Sequence, residues 1–376
     1  MPGRSPATRR YCRRNFLCLS SAAVLAGCTG MAPQSETYAR LSRLDPDPLA
    51  AWRLPAFTDA ATWANHLPAA TLTAGPRILA LSGGGEDGAF GAGLLNGWTA
   101  AGTRPGFDIV TGVSIGALIA PFAFLGQAYD PTLRDIFLTH DSDDMMRLRR
   151  LSFAYSDALY DTAPLARLIE DYTPPSLIRA IAARHRAGAR LLVVTTSLET
   201  TEAMIWNMGA IAEAGAYGLF RAILRASSAI PGLFPPVKIE FEAGGATRRE
   251  THVDGGVIMQ FLALPAAAFD PNWPKSNGGR LYIVVNNTLD PVPQTASATA
   301  LGLSQQAVSA MIRASAGTGV TVARQTADRN GISTSVASVA PEIGATWDAS
   351  DRFDAKYMRR VYQHGYESAL TGDCWA

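Results

Sequence analysis

Asp108-Ile109-Val110-Thr111-Gly112-Val113-Ser114-Ile115-Gly116-Ala117 is the stretch on which the fold turns. Asp108–Thr111 is a short strand-like run, Ile115–Leu125 has helical periodicity, and a glycine-flanked turn joins them. A serine in G-x-S-x-G at such a turn is lifted above the sheet edge. The small residues on either side let the backbone reverse without clashes. Gly112 and Gly116 supply them, and with Ala117 they let the helix approach the strand closely. The helix N-terminus aims its dipole at the Ser114 hydroxyl, favouring negative charge there.

Two further glycine turns lie outward from this one. Gly83-Gly84-Gly85-Glu86-Asp87-Gly88 follows the apolar run Ile78–Ser82 and precedes a helical pattern over Gly88–Ala100. Bare backbone N–H groups in such a loop converge on an anion, for example the tetrahedral oxyanion of acyl transfer. The hexapeptide also fits the G-x-G-x-x-G dinucleotide fingerprint, with Asp108 at ribose-acid spacing. Asp108, however, begins its strand, whereas the ribose acid belongs at a strand's end. A plain structural turn is a third reading. Asp254-Gly255-Gly256 closes the run Glu250–Val253. In a parallel sheet the C-terminal strand ends share one rim, so a carboxylate there would reach Ser114 and take its proton. Asp-Gly is also a common turn in its own right.

The remaining pattern alternates strands and helices. Leu191–Ser197, Ala203–Trp206, Leu281–Val285 and Ser333–Val339 read as strands; Leu219–Ser227, Ser304–Asp328 and Asp351–Ala369 read as helices. Alternation of this kind predicts a three-layer α/β/α fold with a mostly parallel central sheet, spanning residues 77–376.

The N-terminus reads as an address. A basic run precedes the apolar stretch Phe16–Gly27, which is short for a permanent span. Arg13-Arg14 resembles a twin-arginine signal, and Leu25-Ala26-Gly27-Cys28 a lipobox in which Cys28 is acylated. An ordinary secretory signal with a chance cysteine is the bland alternative. Residues 1–27 are expected to be removed and 28–76 to form a lipidated tether and extension. Several acyl chains on Cys28 would hold the protein stably on a membrane surface in the bacterial cell envelope. Thr29 gives no aspartate retention signal, which favours the outer membrane. Cys374 would then have no partner within the chain. The full chain has 33 basic and 32 acidic residues, with 48% hydrophobic and 17% charged. Five arginines lie in residues 1–27, so the mature chain would carry 28 bases against 32 acids. That balance argues against nucleic-acid binding.

Taken together, the three glycine turns in this order resemble the patatin-like phospholipase family. Arg225-Ala226-Ser227-Ser228-Ala229-Ile230-Pro231-Gly232-Leu233-Phe234-Pro235 resembles that family's Ala-Ser-x-Ala-x-Pro segment, and the resemblance spans roughly residues 77–265. It implies a patatin-like fold, Ser114 as nucleophile, Asp254 as general base, and an oxyanion hole from the N–H groups of Gly83, Gly84 and Gly85, with Gly88 closing the loop. It also implies lipid acyl esters as substrates. No metal cluster is visible in the sequence, with no H-E-x-x-H, no paired Cys and no Asp-rich calcium loop, so neither metal nor cofactor is expected. Two positions depart from the family pattern: Asp87 stands where Arg or Lys is common, and Gln260-Phe261 where Asn is often found. At a helix start Asp87 is expected to cap N–H groups and face solvent. A triad using His364 and a site-lining His252 are weighed against the dyad, which needs its carboxylate in a dry site because an ordinary aspartate is a weak base. An alternative of another class is a lipid-binding envelope scaffold with vestigial hydrolase motifs.

Overall fold

A computed structural model describes residues 47–140, 147–148, 160–292, 300–347 and 352–376. The Arg13-Arg14 pair, the signal ending at Gly27, Cys28 and the first part of the 28–76 segment lie outside the described residues.

Nine strands form one sheet: β1 (Arg53–Pro55), β2 (Arg77–Leu81), β3 (Ile109–Val113), β4 (Arg190–Ser197), β5 (Glu202–Asn207), β6 (Val237–Ala243), β7 (Ala246–Asp254), β8 (Gly279–Val285) and β9 (Ile332–Ser338). The order is β1-β5-β4-β3-β2-β8-β9, with β7 pairing both β4 and β6. The central ladders β4-β3-β2-β8-β9 are all parallel. Helices of ten or more residues among those described are α1 (Gly88–Ala100), α2 (Ile115–Leu125), α3 (Asp130–Thr139), α4 (Ala163–Tyr172), α5 (Pro175–Arg186), α6 (Tyr217–Ser227), α7 (Ala300–Arg329) and α8 (Ala355–Thr371). The protein is a three-layer α/β/α structure, as the alternation predicts.

Strand side chains alternate between two buried faces, which is why β2, β4 and β8 carry the continuous apolar runs Ile78–Leu81, Leu191–Val194 and Leu281–Val285. Ile78, Ala80, Ile109, Val113, Leu192, Val194, Leu281 and Ile283 face one core, closed by Trp63, Leu67, Phe261, Ala316 and Val320. Tyr282, on the opposite parity, joins Trp98, Phe107 and Trp375 in an aromatic cluster. On that side α1 and α8 pack backbone to backbone. A side chain at Gly93 would start 2.0 Å from the Tyr362 carbonyl oxygen, one at Gly97 2.1 Å from that of Tyr366, and one at Gly365 2.3 Å from that of Phe90.

Two expectations change. The domain boundary at residue 77 falls inside the fold: β1 pairs with β5, and Trp63, Leu67 and Leu72 are buried in the core. Their apolar surface is what draws the segment in. The second concerns β7, which enters the sheet antiparallel to β4, through a hairpin with β6. β6 is a clean period-2 strand, Val237-Lys238-Ile239-Glu240-Phe241-Glu242-Ala243, with alternate residues buried, and Gly244-Gly245 at positive φ form its turn.

Candidate active site

β3 and β7 share one edge of β4 and approach each other head-on. β3 ends with Val113 opposite Val194, and β7 ends with Asp254 opposite Thr195, the next residue of the same strand. Neither strand can continue, so both chains turn away at the meeting point. One turn holds Ser114 and the other holds Gly255-Gly256. Shared use of one lane brings the hydroxyl and carboxyl together; a common parallel direction, which the sequence suggested, does not.

Ser114 sits at φ 55°, ψ −126°, a conformation costly for a side-chain-bearing residue and found at strained functional turns. Both flanking glycines are required. A side chain on Gly112 would meet the Gly116 carbonyl oxygen at 2.5 Å, and one on Gly116 would meet the Leu81 carbonyl oxygen at 2.5 Å. Gly255 is equally closed, 2.6 Å from the Val194 carbonyl oxygen.

Ser114 and Asp254 are both buried. Burial pushes the Asp254 carboxyl up to about 7, partly offset by the nearby Ser114 side chain and the Gly256 N–H, which favour its ionised form. The Gly256 N–H donates to Oδ1 at 2.7 Å, and Gln260 Nε2 donates to the Gly256 carbonyl at 2.7 Å. The segment 227–229 ties the two turns together. Ser227 Oγ accepts the Ser114 N–H at 2.9 Å and donates to the Val194 carbonyl at 2.7 Å. Two residues on, the Ala229 carbonyl accepts the Asp254 N–H at 3.0 Å. These roles were not legible in the sequence, although the segment itself was.

The glycine loop abuts the serine: a side chain on Gly83 would begin 3.9 Å from Ser114 Oγ. Its four candidate donors divide into two pairs. The Gly83 N–H donates to the Gln260 carbonyl at 3.0 Å, and the Gly88 N–H turns back to the carbonyls of Gly85 and Glu86, so both are occupied. Gly88 is instead a packing residue, since a side chain there would run into Ile115. Gly84 and Gly85 N–H groups have no hydrogen-bond partner among the described residues. Gly85 has φ +59°, and a side chain on Gly84 would overlap the Asn286 carbonyl. Asn286 supports the loop from β8's end. Its N–H donates to Ser82 Oγ at 2.8 Å, its Nδ2 to the Ser82 carbonyl at 2.8 Å, and its Oδ1 accepts the Gly91 N–H at 3.0 Å. An asparagine closing an apolar strand was the available signal.

Asp87 does not cap α1. It accepts the Tyr357 hydroxyl at 2.5 Å, because the start of α8 covers this end of the loop. Burial pushes its carboxyl up to about 7, partly offset by that hydroxyl. The weighed histidines lie elsewhere: His252 is fully buried, its Nδ1 2.9 Å from Thr195 Oγ1, and His364 Nε2 accepts the Ala340 N–H at 3.2 Å. Asp108 pairs with exposed Arg77 at the opposite end of β2 and β3 from the glycine loop.

An α/β/α fold with a strained serine at a strand–helix turn, a buried aspartate against it and a glycine loop alongside belongs to the class of elbow-serine α/β proteins. The family profile described as Patatin-like phospholipase matches residues 79–267, half of the sequence, and the chain belongs to that family. No curated protein matches it. Among solved structures, that of VipD from Legionella pneumophila aligns over 79% of this chain and 66% of its own length, at 12% identity and a TM-score of 0.39. The chain thus spans about two thirds of that protein.

Proposed function

We propose that the protein is a serine acyl hydrolase that cleaves lipid acyl esters through a Ser114–Asp254 dyad. The observation that carries this reading is the head-on meeting of β3 and β7 beside β4, which brings the buried Asp254 together with a buried serine in strained backbone. Burial raises the carboxylate's affinity for a proton, which turns a weak base into one suited to neutral pH. Asp254 takes the Ser114 proton as Oγ attacks the ester carbonyl. The Gly84 and Gly85 N–H groups receive the oxyanion, aided by the N-terminus of α2. The alcohol or lysophospholipid leaves with the proton. Water then attacks the acyl-enzyme, giving its proton to Asp254, which passes it to Ser114 Oγ as the Oγ–acyl bond breaks and the fatty acid departs.

The substrate class is supported by an apolar cleft beginning beside the serine. Ile115, Leu118, Phe122, Leu168 and Leu224 are among the residues lining it, together with Tyr172 and Thr173. A lining that is mostly aliphatic and aromatic suits an acyl chain better than a charged group. We also propose export and lipidation at Cys28, which would keep the enzyme at a membrane surface.

The direct test is labelling with a fluorophosphonate, which reacts only with an activated serine. Wild type should label and release fatty acid from phospholipid vesicles, and Ser114→Ala should do neither while keeping its circular dichroism spectrum. Lipid binding without labelling would favour the scaffold.

A further inference from the structure

The loop bearing the two free amides is held from the far end of the chain. Glu86, immediately after Gly85, is buried and receives Arg352 in a two-pronged pair, Nε to Oε1 at 2.7 Å and Nη2 to Oε2 at 2.9 Å. The Trp347 indole N–H donates to the same Oε1 at 2.8 Å. The guanidinium lies over the Trp347 and Phe353 rings, 5.6 and 5.8 Å from their centroids. Its Nη2 is 3.4 Å from where a side chain on Gly85 would begin. One residue on, Asp87 accepts the Tyr357 hydroxyl. Between these contacts Phe353 is held at φ 60°, a left-handed conformation that a bulky residue adopts only where packing enforces it. Trp347, Arg352, Phe353 and Tyr357 all lie outside the family-matched residues 79–267.

We propose that Arg352 and Tyr357 are positioning residues, which fix the Gly84 and Gly85 amides by gripping the two side chains that follow them. The inference rests on the acyl-hydrolase reading of the site. Three consecutive glycines have little torsional preference of their own. Amides on such a loop stabilise an oxyanion only if they are already oriented before charge develops. A two-pronged guanidinium–carboxylate pair supplies direction as well as energy, and the Tyr357 contact fixes the next residue. Neither Arg352 nor Tyr357 touches the reacting atoms; the C-terminal segment acts through the loop.

The test uses the full chain with p-nitrophenyl butyrate, a soluble ester that removes vesicle binding from the kinetics. Wild type, Ser114→Ala, Arg352→Gln, Tyr357→Phe and the double variant Glu86→Gln/Arg352→Gln are compared for kcat, KM, labelling rate and Tm. Arg352→Gln should lower kcat about tenfold or more and slow labelling in parallel, with KM within about twofold. Tyr357→Phe, which keeps the ring, should move kcat in the same direction by less. The double variant leaves no buried charge without its partner, so Tm should recover while kcat stays low. Recovery of kcat together with Tm would make the pair merely structural and overturn the proposal, as would unchanged kcat in Tyr357→Phe and the double variant. A wild type no more active than Ser114→Ala overturns the hydrolase reading and this one with it; an active wild type with unaffected variants overturns this one alone.

Discussion

In the proposed dyad, Asp254 couples catalysis to stability through one proton. Its carboxyl is raised to about 7, whereas an unfolded aspartate titrates near the ordinary value of about 4. Between those limits the folded chain keeps a proton that the unfolded chain has lost. Asp254 therefore contributes its full stability below about pH 4 and progressively less as pH rises through 7. Activity runs the other way, since only the ionised carboxylate accepts the Ser114 proton. We expect kcat/KM for ester hydrolysis to rise with pH to a plateau above about 7. Asp254→Asn should lose about two to four orders of magnitude in kcat and yet unfold at a higher temperature than wild type at pH 8, with no such gain at pH 4. An acidic limb centred near 4, or the same Tm difference at both pH values, would contradict this.

At the scale of elements, the site depends on contacts that only glycine permits. Gly112 and Gly116 press α2 against β2 and β3, and Gly93, Gly97 and Gly365 press α1 against α8. The second contact stands behind the glycine loop, because α1 begins at its end and α8 supplies Tyr357. Gly97→Val should force the helices apart and cost about 1–3 kcal/mol, measured by urea unfolding. Activity should fall with it, since the loop shifts when α1 does. Undiminished stability in that variant would mean that the two backbones can separate freely. Several elements were readable in advance: α1 and α2 lie at the bounds given by their periodicity. The β6–β7 hairpin carried a readable alternation and a Gly-Gly turn. Its antiparallel insertion beside β4 had no local signature, because strand direction is chosen by which edge remains unpaired.

For the whole molecule, the family-matched stretch is not a complete sheet. β8 lies between β2 and β9, and it is drawn from residues beyond 267. The clamp on the glycine loop comes from the last thirty residues. At the other end, Cys28 is the proposed anchor. In a bacterial host Cys28→Ser should move the protein from the membrane fraction to the soluble fraction and abolish incorporation of labelled palmitate, leaving ester hydrolysis by the purified protein intact. Continued palmitate incorporation would place the lipid elsewhere.

The sequence by itself determined which residues could carry the proposed chemistry. Glycine is unmistakable where a backbone must turn sharply, and a serine between two such residues after a strand has few other uses. It also determined the layered class, because burial on both faces writes itself into continuous apolar strands. Only the tertiary structure decided how the parts meet. β3 and β7 collide in one lane beside β4, two of the four candidate amides are taken by neighbouring carbonyls, and a distant arginine holds the loop. Each of these depends on residues separated by a hundred positions or more, or on competition for hydrogen bonds that exists only once the chain has closed upon itself.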